Sequence, residues 1–258
     1  MQALSVVIIS YNEALNIGRC IRSVRAVADE IIVVDSFSDD DTVSIAVSLG
    51  ARVEKSKFNS YVTQKNKAIS LASHDFILLL DADEALDSTL AASIFKEKQY
   101  FSFHAYTMNR CSSLCGKFIR HGLWYPDSKL RLFNKALGNC AGLDPHDKIE
   151  MQAGIRARHL KGDILHYAFE SVEEYLERNN EVSCIAARSL FEAGIKKPWT
   201  KIIFSPVWAF INGYFLRMGF LDGRLGYIIA VYTAKQSFVK YLRLRQLQKE
   251  AFKKIIWE

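Results

Sequence analysis

Four strand-like runs punctuate the first part of the chain: LSVVIIS (4–10), EIIVVD (30–35), ARVEKS (51–56) and FILLLD (76–81). Helix-patterned segments separate them, namely NIGRCIRSV, SDDDTVSIAVSLG and QKNKAISLAS, and DSTLAASIFKE follows the last, with Asp87 or Ser88 as its cap. Strands alternating with helices imply an α/β fold, a Rossmann-like, mostly parallel sheet with right-handed crossovers. In such sheets ligands gather beyond the carboxyl ends of the strands. Here those ends read Tyr11-Asn12-Glu13, Asp35-Ser36 and Asp81-Ala82-Asp83-Glu84. All are polar, and their convergence predicts a site.

The end of FILLLD is the most pointed of these. A buried-type run meets Asp81, Asp83 and Glu84 with only Ala82 between them. Like charges at the end of a buried strand call for a cation. A D-x-D placed there suits Mg2+ or Mn2+, which prefer carboxylate oxygens and share their coordination with a ligand's phosphates. In a continued strand Asp81 and Asp83 would share one face. The competing reading is a charged strand end that caps the next helix. Neither G-x-G-x-x-G nor G-x-x-x-x-G-K-[ST] occurs, so a nucleotide would be held through base, ribose and metal contacts. Asp35 is placed to accept from a base or ribose hydroxyl, Tyr11 offers a ring for stacking, and Lys65 is placed to reach a phosphate.

From about residue 100 the pattern changes to a mixed, partly antiparallel extension. FSFHAYTMNR, KLRLFN and HLKGDILHYAF read as strands, CGKFIRHGLWYP as a loop and GLDPHDKIE as a turn-rich segment. SVEEYLERNNEVSCIAARSLFEAG reads as a helix capped at Ser171 and stopped at Gly194. Residues 202–216 then run without charge but contain Pro206, Asn212 and Gly213, too short and interrupted for a spanning helix. In KYLRLRQLQKEAFKKIIWE, Tyr241, Leu244, Leu247, Ala251 and Ile255 mark one helical face and Lys and Arg much of the rest. Two readings stand for this tail: an amphipathic helix in a membrane interface, or a helix packed on the domain with a solvated basic face.

Charge separates the tail from the remainder. The whole chain carries a net charge of +6, yet residues 196–258 hold 12 Lys and Arg against 3 Asp and Glu. The basic excess therefore lies in the tail and the rest is acidic, which suits an anionic membrane surface. Nucleic acid is disfavoured, because base-stacking platforms and known recognition motifs are missing. The five scattered cysteines include Cys111 and Cys115 in CSSLC, with no second pair at zinc-finger spacing, and read as reduced thiols of a cytosolic protein. The opening MQALSVVIIS lacks the basic start and cleavage site of a signal peptide.

SVVIISYNEALNIGRCI, EIIVVDSFSDDDT, QKNKAI and FILLLDADEALD, in that order over about residues 3–100, resemble the nucleotide-sugar half of glycosyltransferase family 2, the inverting enzymes of GT-A fold. LWYPDSKLRLFNK, PHDKIE, LKGDILHY and FLDGRLGY resemble a narrower branch, the bacterial lipopolysaccharide-core enzymes that place glucose, β-linked, on the inner-core heptose. The resemblance implies a UDP-sugar donor, Mg2+ or Mn2+, and a lipid-linked oligosaccharide acceptor at the inner face of the cytoplasmic membrane. It places Tyr11, Glu13 and Asp35 at the uridine, Lys65 and Asn66 near the nucleotide, and Asp81 and Asp83 at the metal. His166 is either a third ligand or structural. Arg131 pairs with a sugar-linked phosphate, with an acid of the site, or in a purely structural ion pair. Inverting transfer also needs a general base. The branch's His-Glu pair falls on His146-Asp147, which makes Asp147 the base, one methylene shorter than Glu, with Asp127 and Asp144 as rivals. Phe37 replaces a small residue after Asp-Ser. The implied organisation is a donor half at 1–100, an acceptor half at 101–195 and a membrane-associating tail at 196–258. Alternatives are a capsule or cell-wall enzyme using another UDP-sugar, or a catalytically silent sugar- or membrane-binding module.

Overall fold

The computed structural model describes residues 1–142, 147–195 and 199–257, with the backbone alone for 251–257. The chain forms two compact units, one of residues 1–111 and 127–167, the other of 112–126 and 168–258.

The first unit opens β1 (Leu4–Ser10), α1 (Ile17–Val24), β2 (Glu30–Asp35), α2 (Thr42–Ser48), β3 (Arg52–Lys55), α3 (Tyr61–Leu71) and β4 (Phe76–Asp81). β1 pairs in parallel with both β2 and β4, and β2 with β3, as the alternation predicts. Side-chain alternation divides the core between the two faces of this sheet. Val6, Ile8, Leu78 and Leu80 pack with Ile17, Ile21 and Val24 of α1. Val7, Ile9, Ile77 and Leu79 pack with Ala68 and Ile69 of α3. Each Val, Leu or Ile among these that is wholly removed from water contributes about 1.5–3 kcal/mol.

After β4 come β5 (Glu84–Leu86), α4 (Ser88–Glu97), β6 (Ala105–Leu114), β7 (Lys117–Phe118), β8 (Asp127–Asn134), β9 (Gly138–Ala141), β10 (Lys148–Met151) and β11 (Ala157–Phe169). The large sheet runs β3-β2-β1-β4-β8-β6-β11-β5, antiparallel from β8 onward where pairing is resolved. This mixed extension follows the expectation in kind but not in detail. FSFHAYTMNR was expected to be a strand from its start, yet β6 begins only at Ala105. Phe101 instead stacks on Phe76 with centroids 4.0 Å apart, so alternating aromatics plug the end of the core before the strand begins. The turn-rich GLDPHDKIE contributes a strand as well: β10 pairs with β9 from Lys148–Ala141 to Met151–Gly138.

β11 meets the start of α4 closely. Asp87 caps that helix, its Oδ1 accepting from the Leu90 amide at 2.6 Å and its Oδ2 from the Asp163 amide at 3.1 Å. Gly162 has φ +97°, and a Cβ there would run into the Leu90 backbone. Gly162→Ala is therefore expected to destabilise the protein by about 1–3 kcal/mol in a denaturant titration.

The second unit contains β7 against Ser113 and Leu114, then α5 (Val172–Glu192), α6 (Thr200–Phe210), a π-helical turn (Ile211–Leu216), a 3₁₀ turn (Gly219–Asp222) and α7 (Arg224–Trp257). Ser171 caps α5, its Oγ accepting from the Glu174 amide at 3.1 Å, and Gly194 ends it with φ +67°. Leu114, Ile119, Tyr175 and Ile229 form this unit's core, with Trp124 and Phe169 packed against it. Buried Asp222 fastens the 112–126 excursion: its carboxylate accepts from the His121 amide at 2.8 Å and the Arg120 amide at 3.3 Å, and its carbonyl accepts from Lys117 Nζ at 2.9 Å. α7 packs along both α5 and α6. Leu244, on the face read as amphipathic, is only 2% exposed, and Tyr241 and Leu247 are half-buried. The side chains of Ala251 and Ile255 lie outside the described residues. Among the described residues, no helix is long and apolar enough to cross a membrane.

Candidate active site

FILLLDADEALD does not continue as one strand. The chain turns at Ala82 and Asp83, and β5 begins at Glu84, so the expected shared strand face of Asp81 and Asp83 gives way to a turn. Glu84 holds that turn. Its Oε2 accepts from the Asp81 amide at 3.0 Å, while its Oε1 lies 2.9 Å from the Arg131 guanidinium.

Arg131 reaches this position through a bulge. Between β6 and β8 the register steps from Tyr106–Leu132 to Thr107–Leu130, leaving Arg131 as the extra residue. Such a bulge re-aims a side chain. The guanidinium also lies 3.1 Å from Asp81 Oδ2. Arg131 thus pairs with acids, Glu84 and Asp81, an arrangement that serves the site reading and the structural ion pair alike.

Lys65 approaches from the other side. Ser60 caps α3, its Oγ accepting from the Thr63 amide at 3.0 Å, and the first turns of the helix then bury Gln64 and Lys65. Lys65 Nζ lies 3.2 Å from Asp81 Oδ1 and 2.8 Å from Asp147 Oδ2. Burial works against the charged lysine, but Asp81 and Asp147 together outweigh it and raise its pKa above the usual value. Burial likewise opposes ionisation of Asp81. Arg131 and Lys65 overcome it and hold this carboxyl well below the ordinary range. Glu84 first, and Asp81 with it, push Arg131 upward against its own burial.

Asn66 ties α3 to β9 by a reciprocal pair, its Nδ2 donating to the Cys140 carbonyl at 2.8 Å and its Oδ1 accepting from the Cys140 amide at 2.9 Å. That contact brings Cys140 Sγ within 3.6 Å of Asp147 Oδ2. The thiol is pushed up to about 12 by burial and by the Asp147 carboxylate, so it stays a donor. Asn66, expected near a nucleotide, thus spends both ends of its amide on fixing β9 beside the site. Of the base candidates, Asp147 sits at the cluster. Asp127 lies 2.9 Å from Arg110 and 3.0 Å from Lys129, and Asp144 lies outside the described residues, as does His146.

Asp83 points to a second group. Its Oδ2 is 3.2 Å from His166 Nε2, and its carbonyl accepts from the Tyr167 amide at 2.9 Å. Burial raises the pKa of Glu13, which Asn16 opposes and Asp83 and Asp40 reinforce. Tyr11 is exposed. Asp35 differs from its expected role as an open acceptor. It is fully buried, with Oδ1 accepting from Ser10 Oγ at 3.1 Å and Ser38 Oγ at 2.5 Å, and Oδ2 from the Ser38 amide at 2.8 Å. It shapes the loop after β2, in which Phe37 takes φ +62°, a left-handed backbone rare for an aromatic residue.

Two buried oxygens, Asp81 Oδ1 and Asp83 Oδ1, receive no hydrogen bond. Asp83 Oδ1, and Asp81 Oδ1 apart from its ion pair with Lys65, are the oxygens open to a hard divalent cation. Among the described residues no three His, Cys, Asp or Glu are gathered into a complete cage. A cation held by Asp81 and Asp83 would therefore take the rest of its ligands from water and phosphate. Sequence reasoning counted Glu84 in the acid cluster without giving it a role, and it missed Arg110. Arg110 stands opposite Asp127 in the β6–β8 ladder and lies 3.8 Å from Glu84, and the opposed charges on two neighbouring strands were the available signal.

The family profile Glycosyl transferase family 2 matches residues 5–162. The chain belongs to this family. Its α/β, mixed-sheet architecture is accordingly the GT-A fold. Among family relatives, a glycosyltransferase of Rickettsia bellii is 32% identical over 95% of this chain and 86% of its own length. One of Rickettsia typhi is 31% identical over 96% and 88%. A lipopolysaccharide core biosynthesis glycosyltransferase of Rhizobium meliloti is 27% identical over 92% and 93%.

Proposed function

We propose that this family 2 glycosyltransferase moves a hexose with inversion, glucose from UDP-glucose, onto an inner-core sugar of lipopolysaccharide or lipooligosaccharide. The observation that carries the acceptor class is the end-to-end likeness to the Rhizobium meliloti core-biosynthesis enzyme. In this reading residues 1–100 hold the donor, 101–195 receive the acceptor, and 196–258 keep the enzyme on the inner face of the cytoplasmic membrane, where a lipid-linked acceptor is built.

Tyr11 and Glu13 would border the uridine, with Asp35 fixing the adjoining loop. Asp81 and Asp83 would hold Mg2+ or Mn2+, with His166 fixing Asp83. When bound, the cation supplies charge stabilisation to the departing diphosphate. Asp147 takes the proton of the acceptor hydroxyl as its oxygen bonds the anomeric carbon from the face opposite UDP. The bond from that carbon to the diphosphate oxygen breaks, and its electrons leave with UDP. Lys65 and Arg131 keep fixed positive charge beside the negative charge that accumulates.

The test is transfer from UDP-glucose to truncated lipopolysaccharide, with UDP binding by calorimetry measured alongside. Asp83→Ala is expected to lower transfer at least about a hundredfold and to abolish the effect of Mg2+ or Mn2+ on UDP affinity. UDP binding that still strengthens with metal in this variant would remove Asp83 from the metal set. Wild-type binding of UDP without transfer from any UDP-sugar would refute the donor and acceptor assignment.

A further inference from the structure

The run from Trp199 to Leu221 is the most apolar exposed stretch of the second unit. No residue of α6 is buried. Its exposed side chains recur at helical spacing: Phe204 is 66% exposed, Trp208 59% and Ile211 39%, and Phe215 continues the row at 56%. Leu216 and Leu221 extend it through the two irregular turns. The opposite side of α6 is occupied by α7, where Ser237 Oγ donates to Ser205 Oγ at 3.0 Å. The apolar face is therefore the one turned away from α7. So large a patch on a folded surface marks an interaction site.

The charge around it narrows the partner. Lys201, Arg217 and Arg224 are all exposed along this segment. From residue 199 to 249 the only acid is Asp222, and it is buried against the 112–126 excursion. A second copy would set these cations against their own duplicates. A bilayer with anionic head groups offers apolar depth and negative charge together. Aromatic side chains also favour the level where the two meet.

We propose that the face carrying Phe204, Trp208, Ile211, Phe215, Leu216 and Leu221 inserts into an anionic bilayer, with Lys201, Arg217 and Arg224 at head-group level. Of the two readings of the tail, membrane contact thus belongs to α6 and the turns after it, while α7 is the strut behind them. The inference deepens the membrane placement above, and its test contains lipid but neither donor nor acceptor, so either reading can fail alone.

The full chain is sedimented with vesicles of equal parts phosphatidylcholine and phosphatidylglycerol, and with phosphatidylcholine alone. The wild type is expected to partition onto the anionic vesicles, more weakly onto neutral ones, and less as salt rises. Phe204→Ser/Trp208→Ser is expected to weaken partitioning at least about tenfold with an unchanged circular dichroism spectrum. Brominated acyl chains should quench wild-type tryptophan fluorescence, a readout that stands even if the double variant misfolds. Three results would overturn the proposal: wild type left in the supernatant, a well-folded double variant that binds as tightly as wild type, or a lipid-free dimer that the double variant dissociates. The last would assign the face to a second copy.

Discussion

Arg131→Leu is expected to destabilise the protein by about 3–5 kcal/mol, because it leaves buried Glu84 and half-buried Asp81 without their shared cation. Arg131 is 6% exposed and Glu84 1%, so water cannot replace the lost guanidinium. For a chain of this size the loss corresponds to roughly 10 °C in melting temperature. Adding Glu84→Gln should restore part of it. Glutamine removes the unpaired charge yet keeps a carbonyl for the Asp81 amide now served by Glu84 Oε2 at 3.0 Å. Thermal melts without metal or nucleotide measure the effect free of ligand stabilisation. If Arg131→Leu melts with the wild type, the turn of Asp81–Glu84 supports itself and the bulge in β8 needs another explanation.

Asp147→Asn is expected to reduce the rate of transfer by about 10²–10⁴-fold, the range for loss of a general base. UDP affinity should change little. Asparagine can still accept from Lys65 Nζ, now 2.8 Å from Asp147 Oδ2, so the local arrangement survives loss of basicity. The decisive comparison is Asp127→Asn. Asp127 pairs with Arg110 and Lys129 and, unlike Asp147, not with Lys65 of the Asp81 cluster, so its amide should affect transfer far less than that at Asp147. Equal transfer by Asp147→Asn and wild type, with transfer lost in Asp127→Asn, would move the base to Asp127.

The parallel core was legible because strands buried on both faces must be written as unbroken apolar runs, as FILLLD and LSVVIIS are. Caps at Ser171 and Asp87 were legible for a similarly local reason, since the side chain that accepts lies three residues before its donor. The acid cluster itself could be read, but its internal partners could not. Lys65 and Asp147 are 82 residues apart, and Arg131 and Glu84 are 47 apart, so no window of sequence contains either pair. Asp35 shows the same limit in reverse. Its place at a strand end was correct, while the Ser38 and Ser10 donors that occupy it follow from how the loop folds back. For residues 202–216, composition revealed the apolar run but not which helix would cover it. Only the packed structure shows α7 taking one side and leaving Phe204 and Trp208 outside.

Asp222 has a consequence for how the protein comes off the ribosome. The amide of His121 waits for a carboxylate synthesised 101 residues later. At typical elongation rates that delay is on the order of 5–20 s. Throughout it, residues 112–126 leave the first unit as an excursion whose own unit is unfinished. Release of the chain before Asp222 would leave the amides of Arg120 and His121 without the carboxylate that receives them and Trp124 without α7 behind its core, so shortening from the carboxyl end removes support from a segment in the middle of the chain.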